Sequence, residues 1–369
     1  MRIIEKWKCQ TNKPLLGLEL MKNQRLENHI VLYSKSGKIY FFSFNGILSF
    51  ESVLTQNTPI WNLKILDLNN DNDLELIFGG MDGILRVFKI SMPLSLKPLW
   101  EHRFNSSISG FLMDDINLDN HLEIIAYSLD KSLRVLKSSN GSLIWGQLLG
   151  GGIEDASICL NNDLPPKREI LACGNDGTFR VFEGSNGNLL WFKKFSNKVR
   201  FISYLTNEDT NFILCGGDDK TVHVIDIKTQ NEIKSIFFDD YVWKCFSPLF
   251  FHHKKVLISS YSFSHFNHLK NLKDLRFSSK LICLNNNLEV EWELKHINVE
   301  TLCQINKDEE KYLGIGTTKG ELLIVSVDNG KILTSISQPS SVNGLLYESN
   351  SNLLFSCCDN GDLFAYFLN

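Results

Sequence analysis

The chain has no basic surplus: Lys plus Arg number 38 against 42 Asp plus Glu, a formal net charge of −4. A general phosphate-backbone binder needs the opposite balance, so nucleic acid is not an expected partner. No apolar run approaches the roughly 20 residues that span a bilayer, and the mean hydropathy of −0.10 agrees. Met1 to Gln10 alternates charged and apolar side chains and holds no unbroken apolar stretch of the kind a secretory leader needs. Neither membrane insertion nor export is expected, and the protein reads as cytoplasmic. None of the nine cysteines is spaced as Cys-x-x-Cys, which removes the zinc ribbon and gives no disulfide framework. Most lie inside apolar runs such as Ile213-Leu214-Cys215 and Leu281-Ile282-Cys283, as reduced, buried thiols do. Ser/His/Asp, Gly-x-Ser-x-Gly, Walker and GxGxxG patterns are missing from any suitable context. No catalytic residue is therefore assigned, and an enzyme is not expected.

What is present is a folded composition, 43% hydrophobic and 22% charged over 369 residues, and a repeat that runs from end to end. Its first copy is Val31-Leu32-Tyr33-Ser34-Lys35-Ser36-Gly37-Lys38-Ile39-Tyr40-Phe41-Phe42, and Phe78 to Phe88 repeats it with the glycine 46 positions further on. Further copies run over Tyr127–Leu136, Cys173–Phe182, Cys215–Ile225, Gly316–Val325 and Cys357–Phe367. Asp-Gly, Lys-Gly or Asn-Gly between period-two apolar runs is a hairpin turn, because that turn must accept residues at positive φ. A second turn follows each hairpin and leads into a strand ending in a large aromatic, as in Ser139-Asn140-Gly141-Ser142-Leu143-Ile144-Trp145 and Ser185-Asn186-Gly187-Asn188-Leu189-Leu190-Trp191. With the apolar run before each hairpin this makes four antiparallel strands per unit, the blade of a β-propeller. Seven internal units fall at about 14–54, 55–106, 107–150, 151–197, 198–239, 240–297 and 298–338. Residues 340–369 supply three more strands, and Ile3-Ile4-Glu5-Lys6-Trp7-Lys8 supplies an outer strand with no blade of its own. The expected fold is all-β, a single β-propeller domain over 1–369 of about eight four-stranded blades, closed by pairing the N-terminal strand with the C-terminal blade; seven blades is the alternative.

The Ser-Asn-Gly-x-Leu-x-Trp segments resemble the repeat of quinoprotein dehydrogenases and their non-enzymatic PQQ-like relatives. Asp67-Leu68-Asn69-Asn70-Asp71-Asn72-Asp73-Leu74-Glu75 and Asp115-Ile116-Asn117-Leu118-Asp119-Asn120-His121-Leu122-Glu123 resemble FG-GAP repeats of the integrin-α type. The run into Asp82-Gly83-Ile84-Leu85-Arg86-Val87-Phe88 is similar to intracellular FG-GAP propellers such as those of Bardet-Biedl complex subunits, and the whole pattern is similar to WD40-like repeats. The resemblance implies an interaction module, since such motifs specify a fold more sharply than a function.

Two acidic loops offer oxygen ligands at loop positions one, three, five and nine: Asp67, Asn69, Asp71 and Glu75, then Asp115, Asn117, Asp119 and Glu123. Calcium takes six to eight oxygens from such a turn, but Asx side chains also cap it with no ion. The usual loop glycine is Asn72 in one copy and Asn120 in the other. Calcium is the one cofactor the sequence leaves open. The adjacent Cys357-Cys358 pair begins a hairpin, where a buried thiol pair is expected, and His252, His253, His265 and His268 match no metal-site spacing.

The sixth blade carries an insertion at Tyr261–Ser279, with Phe266, Leu269, Lys273 and Arg276 among its apolar and basic residues. Long loops in compact domains often carry function. In a propeller that loop opens on the same face as the entries to the inner strands. Those entries hold Trp61, Glu154, Asp155, Arg200, Tyr241, Trp243, Lys244 and Glu300, a set of aromatic anchors and charges suited to a protein partner. The expected function is a non-catalytic protein-interaction scaffold, a monomeric propeller inside a larger intracellular hetero-complex. The alternatives are a small-ligand binder or quinoprotein-like enzyme using the central channel, and a calcium-binding adhesion or sensing module.

Overall fold

The computed structural model describes residues 2–23, 26–91, 93–161, 167–206, 211–246, 255–261, 279–307 and 310–369. Every regular element among them is a β-strand, β1 to β32 in chain order, and the strands form eight four-stranded antiparallel sheets. This is an eight-bladed β-propeller, and the seven-bladed count falls. Blade 1 shows the pattern: β2 (Leu15–Asn23), β3 (Leu26–Ser34), β4 (Lys38–Ser43) and β5 (Leu48–Val53) pair in sequence order. Blades 2 to 7 repeat it over 60–103, 108–148, 153–194, 199–237, 241–295 and 299–337. Blade 8 is composite: β30 (Val342–Glu348), β31 (Leu353–Cys358) and β32 (Asp362–Leu368) take β1 (Ile3–Gln10) as their outer strand, with Ile3 opposite Leu368 and Gln10 opposite Asp362. That pairing gives the last blade its fourth strand and covers an edge that would otherwise template aggregation.

The chain divides into two compact units, one of Met1–Ile108, Ser139–Gly141 and Val299–Asn369, the other of Ser109–Ser138 and Ser142–Asn298. In each, the core lies between the faces of neighbouring blades. In the first, Val31 and Phe41 of blade 1 pack with Leu63 and Phe78 of blade 2, all 3% exposed or less. In the second, Ile125 and Val135 of blade 3 pack with Ile153, Ile170 and Ala172 of blade 4. The β-branched and aromatic residues of the repeat thus occupy the faces of sheets that neighbouring blades cover.

The two turn signals have separate physical reasons. In the hairpin turns Gly37, Gly83, Gly177, Gly320 and Gly361 sit at φ between +71° and +92°, and Lys131 and Lys220 take the same left-handed conformation in blades 3 and 5. The second turn serves packing between blades. Gly187, at φ +74°, lies against Trp145 of the preceding blade so closely that a Cβ there would sit 2.5 Å from Cε3 of the indole. Trp145 Nε1 donates to the Gly184 carbonyl at 2.8 Å. Trp7 does the same to Phe44 O at 2.9 Å, beneath Gly46. The spacing of Asn-Gly to Trp therefore records a ring on one blade docking on the turn of the next.

A charge clamp stiffens four hairpins. The turn aspartate pairs with a residue four positions on: Asp82 with Arg86 at 2.6 Å, Asp130 with Arg134 at 3.4 Å, Asp176 with Arg180 at 2.8 Å, and Asp219 with His223 at 3.0 Å. Blade 5 alone among these four uses histidine. His223 also meets Glu232 at 2.9 Å and packs on the Phe195 ring at 4.3 Å. Burial disfavours its charged form, but hydrogen bonds and charge from Asp219 and Glu232 outweigh that and raise its pKa above the usual value.

Candidate functional site

The first strands carry one irregularity in common. In blades 1, 2, 4, 5, 6, 7 and 8 the register of the first strand slips by one residue near its start, leaving Leu16, Trp61, Glu154, Arg200, Trp243, Glu300 or Asn343 as the extra residue of a β-bulge. A bulge breaks the in–out alternation and re-aims a side chain. Five of the strand-entry residues read from the sequence are thus bulge residues. Trp61 is 38% exposed, as a re-aimed side chain and not a core residue would be; it and Glu300 belong to the first unit.

In the second unit three consecutive bulges, Glu154 on β14 (Ile153–Asn161), Arg200 on β18 (Val199–Thr206) and Trp243 on β22 (Tyr241–Phe246), border one cavity of about 330 Å³. Asp155 and Lys244, the residues after two of the bulges, complete its polar lining with Ser109, and Tyr127, Phe201 and Cys245 line it as well. Arg200 is held in place. Its Nη2 donates to Asp218 Oδ2 at 3.0 Å and its Nε to Oδ1, a bidentate pair, and the guanidinium carbon lies 4.8 Å from the centre of the Trp243 ring. Trp243 in turn packs on Tyr261 with ring centroids 5.3 Å apart. Tyr241, two positions before Trp243, receives Lys220 Nζ at 5.9 Å from its ring centre. Such cation–π and fork pairs are pre-organised and lose little entropy when a partner binds.

Asp155 sits at the junction of blades 3, 4 and 5. Its Oδ1 accepts from its neighbour Ala156 N–H at 2.9 Å and from Tyr127 Oη at 3.4 Å, and its Oδ2 accepts from Ile202 N–H at 3.1 Å. Burial pushes the carboxyl up to about 7, although the two backbone donors, Tyr127 and the charge of Lys244 pull the other way. The same enclosure raises Tyr127 well above the usual phenol range, with Asp155 adding to the effect, and pushes Cys245 up to about 12. Ser109 ties blade 3 to blade 4 by donating to Ile153 O at 2.6 Å.

The structure brings together Glu154, Asp155, Arg200, Trp243 and Lys244 of the expected set. Phe266, Leu269, Lys273 and Arg276 lie outside the described residues, although the hairpin arms flanking the insertion pair as expected, Val256 opposite Leu284. Sequence reading passed over Tyr127, Ser109 and Asp218. The signal for Tyr127 was Gly110, where a Cβ would stand 2.2 Å from the tyrosine oxygen: a glycine in a first strand marks a large side chain lying across it.

The acidic loops lie at the other end of the first strands. In the first, Asp67 Oδ1 accepts from Asp71 N–H at 3.2 Å and its Oδ2 from Asn72 N–H at 2.8 Å, Glu75 caps Leu68 N–H at 2.9 Å, and Lys89 bridges Asp71 and Asp73. In the second, Asp115 caps Asp119 and Asn120, Asn117 Nδ2 donates to Asp119 and Glu123, and Glu123 caps Ile116 N–H at 3.1 Å. Asn72 and Asn120, in the glycine's place, take φ of +65° and +68°, which asparagine tolerates. Among the described residues no three His, Cys, Asp or Glu side chains are grouped to hold a metal ion. Cys357 and Cys358 are fully buried free thiols, and burial raises Cys357 well above the usual thiol value.

With this geometry in hand, the comparisons with known proteins are consistent at the level of fold. The sequence profile of the lambda-carrageenase β-propeller domain matches residues 124–274, a span that contains most of the cavity lining. No curated protein matches by sequence. Among solved structures, the computationally designed Ika8 protein shares 14% identity with a TM-score of 0.72, over 97% of this chain and 98% of its own. BamB from Moraxella catarrhalis shares 13% at a TM-score of 0.66, and Sqt1 from Saccharomyces cerevisiae 9% at 0.75, each over 100% of both chains. These likenesses establish a β-propeller. At such identities they carry the fold alone.

Proposed function

We propose that the chain is a non-catalytic protein-interaction platform, working in the cytoplasm as one subunit of a larger assembly, and that the bulge-lined cavity of blades 3 to 6 is its contact site. One observation carries the reading. Three bulge residues of different character, Glu154, Arg200 and Trp243, converge from consecutive blades on one cavity, and the arginine is fixed by Asp218 on one side and the indole on the other. Arg and Trp in pre-organised, partly desolvated positions are the residue types on which interface energy concentrates. The acidic loops fit the reading as hydrogen-bonded Asx turns that need no ion.

The test is affinity capture of the tagged chain from its own cells beside an Arg200→Glu, Trp243→Ala variant whose unfolding curve matches the parent. Partners that co-purify with the parent and are lost from the variant support the platform. An unchanged partner set refutes the contact site. A second reading follows from the enclosure of Asp155 and the overlap of the cavity with the matched enzyme-domain profile: a small polar ligand held in the same cavity. Native mass spectrometry of the purified chain separates the two, since a retained small molecule and an empty partner list favour the ligand.

A further inference from the structure

The partner reading of the cavity can be taken one step deeper, to what the partner inserts, and the inference rests on that reading. Asp155 is enclosed by protein, yet each hydrogen bond it accepts comes from an uncharged donor, Ala156 N–H, Ile202 N–H or Tyr127 Oη. Among the described residues neither Asp155 nor the adjacent Glu154 forms an ion pair, and Lys244 acts on Asp155 through its charge. The charge of Arg200 is already matched by Asp218. The lining therefore holds two carboxyl groups against one lysine. Tyr127, Phe201 and Trp243 wall the same space, and a volume near 330 Å³ suits one long side chain better than a folded segment.

We infer that the cavity receives a basic side chain, arginine or lysine, presented by a protein partner, with Asp155 and Glu154 meeting its charge and the aromatic walls its aliphatic stem. Removing a carboxylate from water is costly unless a cation joins it, so a basic guest supplies the counter-charge that the two carboxyl groups call for. Long basic side chains also gain by covering apolar surface with their methylenes.

The same geometry gives the interaction a pH dependence. Facing Asp155 are Glu154 on its own strand, Tyr127 from blade 3, Cys173 from the next strand of blade 4, the Arg200–Asp218 pair from blade 5, and Lys244 and Cys245 from blade 6. Tyr127, Cys173 and Cys245 are all pushed further above neutrality, whereas Asp155 is raised to about 7. A cation needs the ionised carboxylate, so affinity rises with pH through neutrality, by about tenfold between roughly pH 6 and pH 8.

Two end-blocked pentapeptides test this on the full chain, Gly-Gly-Arg-Gly-Gly and its citrulline counterpart, which keeps the shape and loses the charge. Binding is read by tryptophan fluorescence and by NMR up to about 10 mM peptide, where weak complexes still register. At about pH 8 the arginine peptide is expected to bind at least about tenfold more tightly than the citrulline peptide. That preference should shrink near pH 6 and vanish in Asp155→Asn, with the urea unfolding curve confirming a folded variant. Equal binding of the two peptides, binding of neither, or a preference that survives in Asp155→Asn and in Glu154→Gln overturns the inference. Its failure is separable from that of the platform. Partners lost from Arg200→Glu, Trp243→Ala but kept by Asp155→Asn leave the platform standing without the basic guest, whereas an arginine preference in a chain that captures no partner leaves the cavity chemistry without the platform.

Discussion

Gly187→Ala is the sharpest perturbation of the packing between blades. At φ +74° the new residue enters the left-handed region, which costs an L-residue about 1 to 2 kcal/mol relative to glycine. Its Cβ would lie 2.5 Å from Trp145 Cε3, so the indole must shift within a core where overpacking costs about 1 to 3 kcal/mol. Any shift also strains the 2.8 Å bond from Trp145 Nε1 to Gly184 O, with a net value of about 1 kcal/mol. The reduced entropy of the unfolded chain returns only about 0.5 kcal/mol, leaving an expected loss of about 3 kcal/mol. Equilibrium urea unfolding followed by tryptophan fluorescence measures it as a lower midpoint at unchanged slope. Gly146→Ala is the control: it neighbours the same tryptophan, but its Cβ would meet nothing closer than 3.5 Å, and no loss is expected. A loss below about 1 kcal/mol at Gly187 would refute the docking account of the Asn-Gly to Trp spacing.

Three further outcomes are expected. Leu118 sits at φ +63°, 44% exposed, where the sister loop has Asn70 at +60°, so Leu118→Asn should raise stability by about 1 kcal/mol in the same assay. The folded-state pKa of His223 is raised by its two carboxylates, so the stability it contributes is full below the unfolded-state value and is lost as pH rises through the folded one. His223→Arg, which restores the clamp of the neighbouring blades, should therefore gain in Tm over the parent as pH moves from about 6 to 8, and a constant difference would show that the imidazole does not titrate in the clamp. If the acidic loops are hydrogen-bonded turns, excess chelator or millimolar calcium should leave Tm unchanged, because an ion bound only to the folded state must raise it.

The eight blades were legible because two local rules repeat throughout. Hairpin turns demand residues that accept positive φ, and Gly187 and its equivalents must leave room for a tryptophan from the preceding blade. The site was half legible. Strand entries at Asp155, Arg200 and Trp243 could be read from the chain, but period-two alternation cannot register a bulge, which is what turns Glu154, Arg200 and Trp243 toward the cavity. Tyr127 and Asp218 were not legible as site residues, because they reach it from strands and turns far along the chain. The spacing of Asp67 to Glu75 is the same for an ion loop and an Asx turn, and the backbone hydrogen bonds that Asp67 and Glu75 accept shape the turn in either case.

The central claim, that a protein partner meets the cavity of blades 3 to 6, is tested most directly by a photoreactive phenylalanine placed at Trp243 in living cells, with a second at Leu118 on the far end of the blade 3 first strand. The account predicts a discrete covalent adduct from position 243 and none from position 118. Adducts from 118 alone, or none from 243 in a chain that is folded and expressed, would contradict it.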